Sequence, residues 1–120
     1  MNYNKGDVVI LPFPFVISKG IQQKARPALV VSNHLVRRRF DDLILAGITS
    51  QRTNEVIETE MLINEKDSYF NETGLLKTSV IRFEYLMTIP KTLVRRRLGQ
   101  IPQSILKKID EKLKLSLGLN

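Results

Sequence analysis

No cysteine occurs in this 120-residue chain, and its one histidine is His34. Without thiols there is no disulfide framework, no thiolate nucleophile and no cysteine-based zinc site. A single imidazole removes nearly every histidine-based metal motif as well. No apolar run approaches the ~18 residues that a membrane-spanning helix needs. The N-terminal "MNYNKGDVVILPFPF" lacks a basic stretch followed by an apolar core and a small-residue cleavage site, so a soluble, cytoplasmic protein with no membrane partner is expected. The glycines stand singly, at Gly6, Gly20, Gly47, Gly74, Gly99 and Gly118, which excludes a glycine-rich phosphate loop. Internal repeats and low-complexity tracts are also missing.

What is present is a chain of ordinary single-domain size with 42% hydrophobic residues, enough for one core. The charge is 19 Lys+Arg against 12 Asp+Glu, a net of +7. Its distribution is uneven. Between Asp7 and Asp41 there is no acid, while Lys19, Lys24, Arg26, Arg37, Arg38 and Arg39 all fall there. From Asp41 to Glu72 the sign reverses, with eight acids against Arg52 and Lys66, and from Lys91 onward it is basic again. Segregation of this kind suits a polyanionic partner on one face, and a merely solubilising surface is the equal alternative from charge alone.

Punctuation and periodicity give the elements. Residues 6–13, "GDVVILPF", are β-branched and apolar and close on Pro12 and Pro14, so a strand running into a loop over residues 14–25 is expected. Arg26 precedes Pro27, which favours extended backbone, and residues 28–32, "ALVVS", form a strand too continuously apolar to have a wet face. A third strand is expected over residues 43–49. "EVIETEMLI", residues 55–63, alternates, with Ile57, Thr59, Met61 and Ile63 on one face and Glu58 and Glu60 on the other. Residues 64–74 read as a turn-rich loop, and "SVIRF" and "LMTIP" as two short strands. In residues 102–117 the period changes: Ile105, Ile109, Leu113 and Leu117 recur every four residues beside Leu106, with Pro102 and Gly118 marking the helix ends. Short strands with one terminal amphipathic helix describe a mainly β fold, a strongly bent sheet or partly open barrel plugged by a C-terminal helix.

Few residues remain for chemistry. Glu58 and Glu60 would share a solvated strand face rather than act as an acid/base dyad, and Asp41-Asp42 beside the tri-arginine run reads as a salt-linked turn. If residues 28–32 and 43–49 are antiparallel neighbours, Arg26 meets Thr49 at one rim of the sheet. A guanidinium fork and a hydroxyl converging on one spot suit a phosphate group. An ordinary rim arginine and an ordinary β-branched strand residue are the alternatives. Lys24 and Arg26 have no carboxylate near them in sequence, which leaves their counter-ion open.

At these residues the chain resembles the MazF/PemK family of toxin ribonucleases, on its PemK-like branch. "KGDVVILPFPF" is similar to the family's opening strand, "KARPALVVS" to its Arg-Pro strand, "GITSQ" to its hydroxyl-rich strand end and "LGQIPQSILKKIDEKLKLSLG" to its closing helix. The resemblance runs over nearly the whole chain in order. It implies one toxin domain over residues 1–120, an SH3-like small β-barrel with a C-terminal helix, and a homodimer. It also implies cleavage of single-stranded RNA without metal or other cofactor, and inhibition by a cognate antitoxin. By position it assigns catalysis to Arg26 and Thr49. Ser50 and Gln51 adjoin them at the rim, where contact with RNA is expected, together with Phe15, Lys19, Lys24 and Lys77. His34 has no counterpart among the family's functional residues, and Arg37–Arg39 and Arg95–Arg97 match none of its motifs. Two other readings share the charge pattern: a gyrase-directed toxin on the same barrel, and a non-catalytic nucleic-acid-binding module.

Overall fold

The computed structural model of the chain describes residues 2–17 and 20–120, and the side chains of residues 2–12 and 24–120. Six strands form one antiparallel sheet: β1 (Asp7–Ile17), β2 (Gly20–Val30), β3 (Asp42–Thr49), β4 (Glu60–Ile63), β5 (Ser79–Pro90) and β6 (Arg96–Gln100). Their order across the sheet is β4-β5-β3-β2-β1-β6. A short helix, α1 (Phe70–Thr73), precedes β5, and the closing helix, α2 (Gln103–Leu117), follows β6. The expected mainly β architecture with a C-terminal helix is borne out.

Alternation explains why the central strands are apolar throughout. In β2, Leu29 points to one side of the sheet and Ala28 and Val30 to the other; in β3, Ala46 and Ile48 oppose Leu43 and Leu45. Leu29, Ala46 and Ile48 join Val8, Ile81, Phe83 and Ile101 in a core sealed by Ile109 of α2, with Ile105, Leu106 and Leu113 packed alongside. Ala28, Val30, Leu43 and Leu45 join Tyr3, Val9, Leu11 and Ile89 in a second core on the other face. Both faces of the central strands are therefore dry. Leu117, at the end of the four-residue stripe, is 55% exposed and lies beyond this packing.

Several expectations are corrected. Residues 14–17 and 20–25 are not a loop; they extend β1 and β2 into a long hairpin, with Pro12 opposite Ala25 and Pro14 opposite Gln23. The carbonyl of Ile10 accepts from Arg95 N on the β6 side, so Pro12 and Pro14, two and four places on, turn their missing N–H groups to that same side. The paired register of β6 ends at Ile10, and no ladder bond is lost there.

Only Glu60–Ile63 of the alternating segment forms a strand. Before it the chain turns, with Glu60 N donating to Ile57 O and Ile57 N donating to the Glu60 carboxylate, which leaves Ile57 and Glu58 exposed. "SVIRF" and "LMTIP" are one strand, because β5 continues past a bulge in which Ala46 faces Leu86 while Gly47 faces Arg82. The turn-rich segment holds α1, and β6 was missed because its apolar content is slight. Pro102 stands at the N-cap of α2 rather than inside its first turn.

Candidate active site

The register of β2 on β3 sets Ala28 opposite Gly47 and Leu29 opposite Ala46. The paired register ends at Ala28 and Gly47; Arg26 and Thr49 lie two residues beyond it on their strands, where the pleat puts them on the face that Ala28 and Gly47 share. Both side chains are part-buried. They line a cavity of about 520 Å³ whose floor is Pro27, Gly47 and Ile48 and whose far wall is β5, with Arg82, Glu84 and Tyr85. Gln51, just past the end of β3, completes the rim.

The Thr49 hydroxyl oxygen accepts the Gln51 backbone N–H at 3.1 Å. That bond fixes the hydroxyl at the strand end and leaves its proton for donation. Arg52 follows with φ 55, in the left-handed region, within the turn that ends β3. A guanidinium retains its charge at any physiological pH, so the cavity presents a permanent cation beside a positioned hydroxyl.

The β5 wall was not foreseen. Arg82 lies in register with Gly47 on one side and Glu60 on the other, its Nε 3.2 Å from a Glu60 carboxylate oxygen. Its guanidinium carbon stands 5.9 Å from the centre of the Tyr85 ring. Glu84 accepts a 2.8 Å hydrogen bond from the Thr59 hydroxyl. The interruption of two apolar runs by Arg82, Glu84 and Tyr85 in "SVIRFEYLMTIP" was the available signal.

The remaining sequence-predicted residues fall around this cavity. Gln51 lines it. Ser50 is exposed and outside the lining, and so is Lys24, two residues before Arg26 on the same face of β2. Lys77 is exposed three residues before Val80, the partner of Thr49, so it stands at the same end of the sheet but away from the cavity. Phe15 is in β1 opposite Gln22, and its side chain lies outside the described residues. Lys19 also lies outside the described residues.

His34 is at the opposite end of the sheet. It lines a separate polar cavity of about 330 Å³ with Asn2, Arg38, Asp42 and Lys91. Buried Ser32 accepts Ile44 N–H at 3.1 Å, and its hydroxyl meets His34 Nε2 at 2.6 Å, which suits a neutral imidazole accepting the serine proton. Burial first and the Arg38 charge second lower the His34 pKa from 6.5; Asp42 pulls the other way, followed by smaller effects of Lys91, which lowers it, and Asp7, which raises it. Arg38 pairs with Asp42 at 2.6 Å, the salt-linked turn expected beside the tri-arginine run. Among the described residues, no three His, Asp or Glu side chains gather as a metal site would require.

A family model describing PemK-like, MazF-like toxins of type II toxin–antitoxin systems matches residues 4–117. Endoribonuclease EndoA of Bacillus subtilis (strain 168) is 29% identical over 119 residues, spanning 99% of this chain and 97% of that protein. Two solved structures superpose over nearly the full length. One is an endoribonuclease in complex with its cognate antitoxin from a mycobacterial species, at TM-score 0.71, 22% identity and coverage of 99% and 98%. The other is MazF from Deinococcus radiodurans, at TM-score 0.71, 21% identity and 99% coverage of each chain. At such identities these structures share the fold.

Proposed function

Since this chain belongs to the PemK-like, MazF-like toxins of type II toxin–antitoxin systems, we propose that it is a metal-independent endoribonuclease that cuts single-stranded RNA, in the cytoplasm, at the Arg26–Thr49 cavity. The observation that carries the reading is that Arg26 and Thr49, each two residues beyond the last β2–β3 pair, line one cavity of about 520 Å³, with the Thr49 hydroxyl held by Gln51 N–H. The relative EndoA, named as an endoribonuclease, supports the choice of substrate.

The chemistry asks little of the protein. The ribose 2′-oxygen loses its proton as it bonds to the neighbouring phosphorus, and the bond from phosphorus to the 5′-oxygen breaks. The 5′-oxygen takes up a proton, so the products are a 2′,3′-cyclic phosphate and a 5′-hydroxyl with no net co-reactant. Arg26 binds two phosphate oxygens and holds the negative charge that grows on the phosphorane, and Thr49 donates a hydrogen bond to it. Holding the 2′-oxygen in line with the leaving oxygen supplies the remainder. Gln51 and Ser50 contact the strand at the rim, and Lys24, Lys19, Lys77 and Phe15 contact it farther out.

The reading also gives the exposed Lys24 an anionic neighbour beside the cavity. RNA phosphate occupies that place during cleavage, and an acidic segment of a cognate antitoxin occupies it during inhibition. The toxin acts as a homodimer. The test is incubation of the purified protein with a defined single-stranded RNA in EDTA, beside Arg26→Ala and Thr49→Ala. Cleavage by wild type and loss in both variants is expected; intact RNA under all conditions, or cleavage abolished by EDTA, would overturn the reading.

A further inference from the structure

The β5 wall of the cavity contains a guanidinium that the cleavage chemistry does not use. Arg82 is mostly buried, with its side chain 22% exposed, and its partner Glu60 is more buried still, at 13%. The ion pair runs from Arg82 Nε to a Glu60 carboxylate oxygen at 3.2 Å, in a geometry that falls short of a hydrogen bond. Glu60 compensates the charge from the Nε side, which leaves the two terminal nitrogens of the guanidinium as donors.

Its neighbourhood is built to hold a flat group. The Tyr85 ring lies 5.9 Å from the guanidinium carbon and is 61% exposed, although large aromatic rings normally bury most of their surface. The bulge that presents Tyr85 is pinned rather than loose. Phe83 N donates to Thr59 O at 3.1 Å, Ser116 of α2 donates its hydroxyl to Phe83 O at 2.7 Å, and Glu84 accepts from Thr59. Across the sheet stands Gly47, which places no side chain between Arg82 and the cavity; a Cβ there would come within 3.6 Å of the Tyr85 Cβ.

We propose that Arg82 and Tyr85 form a base-reading pocket beside the phosphate site, with the Tyr85 ring stacking on a guanine and the Arg82 fork hydrogen-bonding its O6 and N7 edge. A planar fork donates to two acceptors on one edge, and guanine presents that pair. Arg82 has its charge met by Glu60, so it suits a neutral base edge better than a backbone phosphate. Strand geometry puts the Arg82 and Arg26 Cα atoms about 12 Å apart, two strands across and two residues along. A cavity of about 520 Å³ is of the size that encloses a small organic ligand, and one nucleotide reaches both walls. Arg82 thus sets sequence preference and Arg26 provides sequence-independent grip. The assignment rests on RNA being the ligand of this cavity.

The test is selection of binders from a short 2′-O-methyl RNA pool of random sequence, which cannot be cut by 2′-hydroxyl attack. Base preference is therefore read apart from cleavage. Wild type should enrich guanine at one position. Arg82→Lys, which keeps the ion pair but loses the fork, and Arg82→Leu should each lower that enrichment about tenfold. Tyr85→Leu should weaken binding about tenfold whichever base is present, because stacking tolerates any base. Arg26→Ala should weaken binding evenly across sequences. Unchanged guanine enrichment in folded Arg82→Lys and Arg82→Leu would overturn the proposal. So would wild-type binding with no preferred base, or enrichment of another base. Cleavage of ordinary RNA by a wild type that shows no base preference would sink this inference alone; guanine enrichment without cleavage would sink the nuclease reading alone.

Discussion

Replacing Thr49 by valine removes one oxygen and keeps the branched shape. Two consequences separate cleanly. In the folded protein the hydroxyl oxygen accepts a single exposed hydrogen bond, from Gln51 N at 3.1 Å, and water can take its place. The stability cost should stay below about 1 kcal/mol, as for most exposed substitutions. On the proposed mechanism the same hydroxyl donates, in the transition state, to an oxygen that is gaining charge, and loss of one such donor costs about 10²–10³ in rate, or about 2.7–4 kcal/mol. Thr49→Val should therefore cut the single-turnover rate on a saturating single-stranded RNA by at least about a hundredfold, with the urea midpoint almost unmoved. Thr49→Ser, which keeps the oxygen, should recover most of the rate. A Thr49→Val protein that cleaves within about threefold of wild type would refute the donor role assigned from oxyanion-type catalysis. A comparable loss of stability and rate would show that the residue acts through the fold.

Two further outcomes follow from packing and titration. Gly74 (φ 73) and Gly99 lock α1 onto β6: a Cβ at Gly99 would lie 2.1 Å from the Glu72 carbonyl oxygen, and one at Gly74 would lie 2.1 Å from the Leu98 oxygen. Gly99→Ala should cost at least about 2 kcal/mol in denaturant unfolding, since backbone must move to admit the methyl group. An unchanged midpoint would contradict that close approach. Because burial and Arg38 hold the His34 pKa below 6.5, the unfolded chain binds this proton first as pH falls. Stability should therefore decline as pH drops below about 6.5, and His34→Gln should flatten that decline in a comparison of urea midpoints on either side of the window. An equal decline in both proteins would contradict it.

The sequence disclosed what periodicity and chain order carry. The apolar runs of β2 and β3 and the four-residue stripe of α2 announced a two-faced sheet capped by a helix. The Arg26–Thr49 apposition followed from assuming that two adjacent strands pair in the simplest way, and Ala28 does face Gly47. What escaped depends on contacts between distant segments. Pro12 and Pro14 look like strand breakers until β6 is seen to end its register at Ile10, which spares their missing N–H groups. Glu60 read as a solvated strand residue, but its partner, Arg82, comes from 22 positions along the chain and is visible only once β4 lies against β5. Tyr85 enters the cavity through a bulge, which in sequence shows only as a polar interruption between two apolar runs and so reads as a break between two strands.

The central claim is that the RNA supplies its own nucleophile. It is tested most directly with a single-stranded RNA carrying one 2′-deoxyribose, placed on the nucleotide that donates the attacking hydroxyl at a mapped cleavage site, and assayed in EDTA. Loss of cutting at that bond alone, with 2′,3′-cyclic phosphate and 5′-hydroxyl ends at every remaining cut, is the predicted result. Cleavage of the substituted bond, or products ending in a 5′-phosphate, would contradict the account.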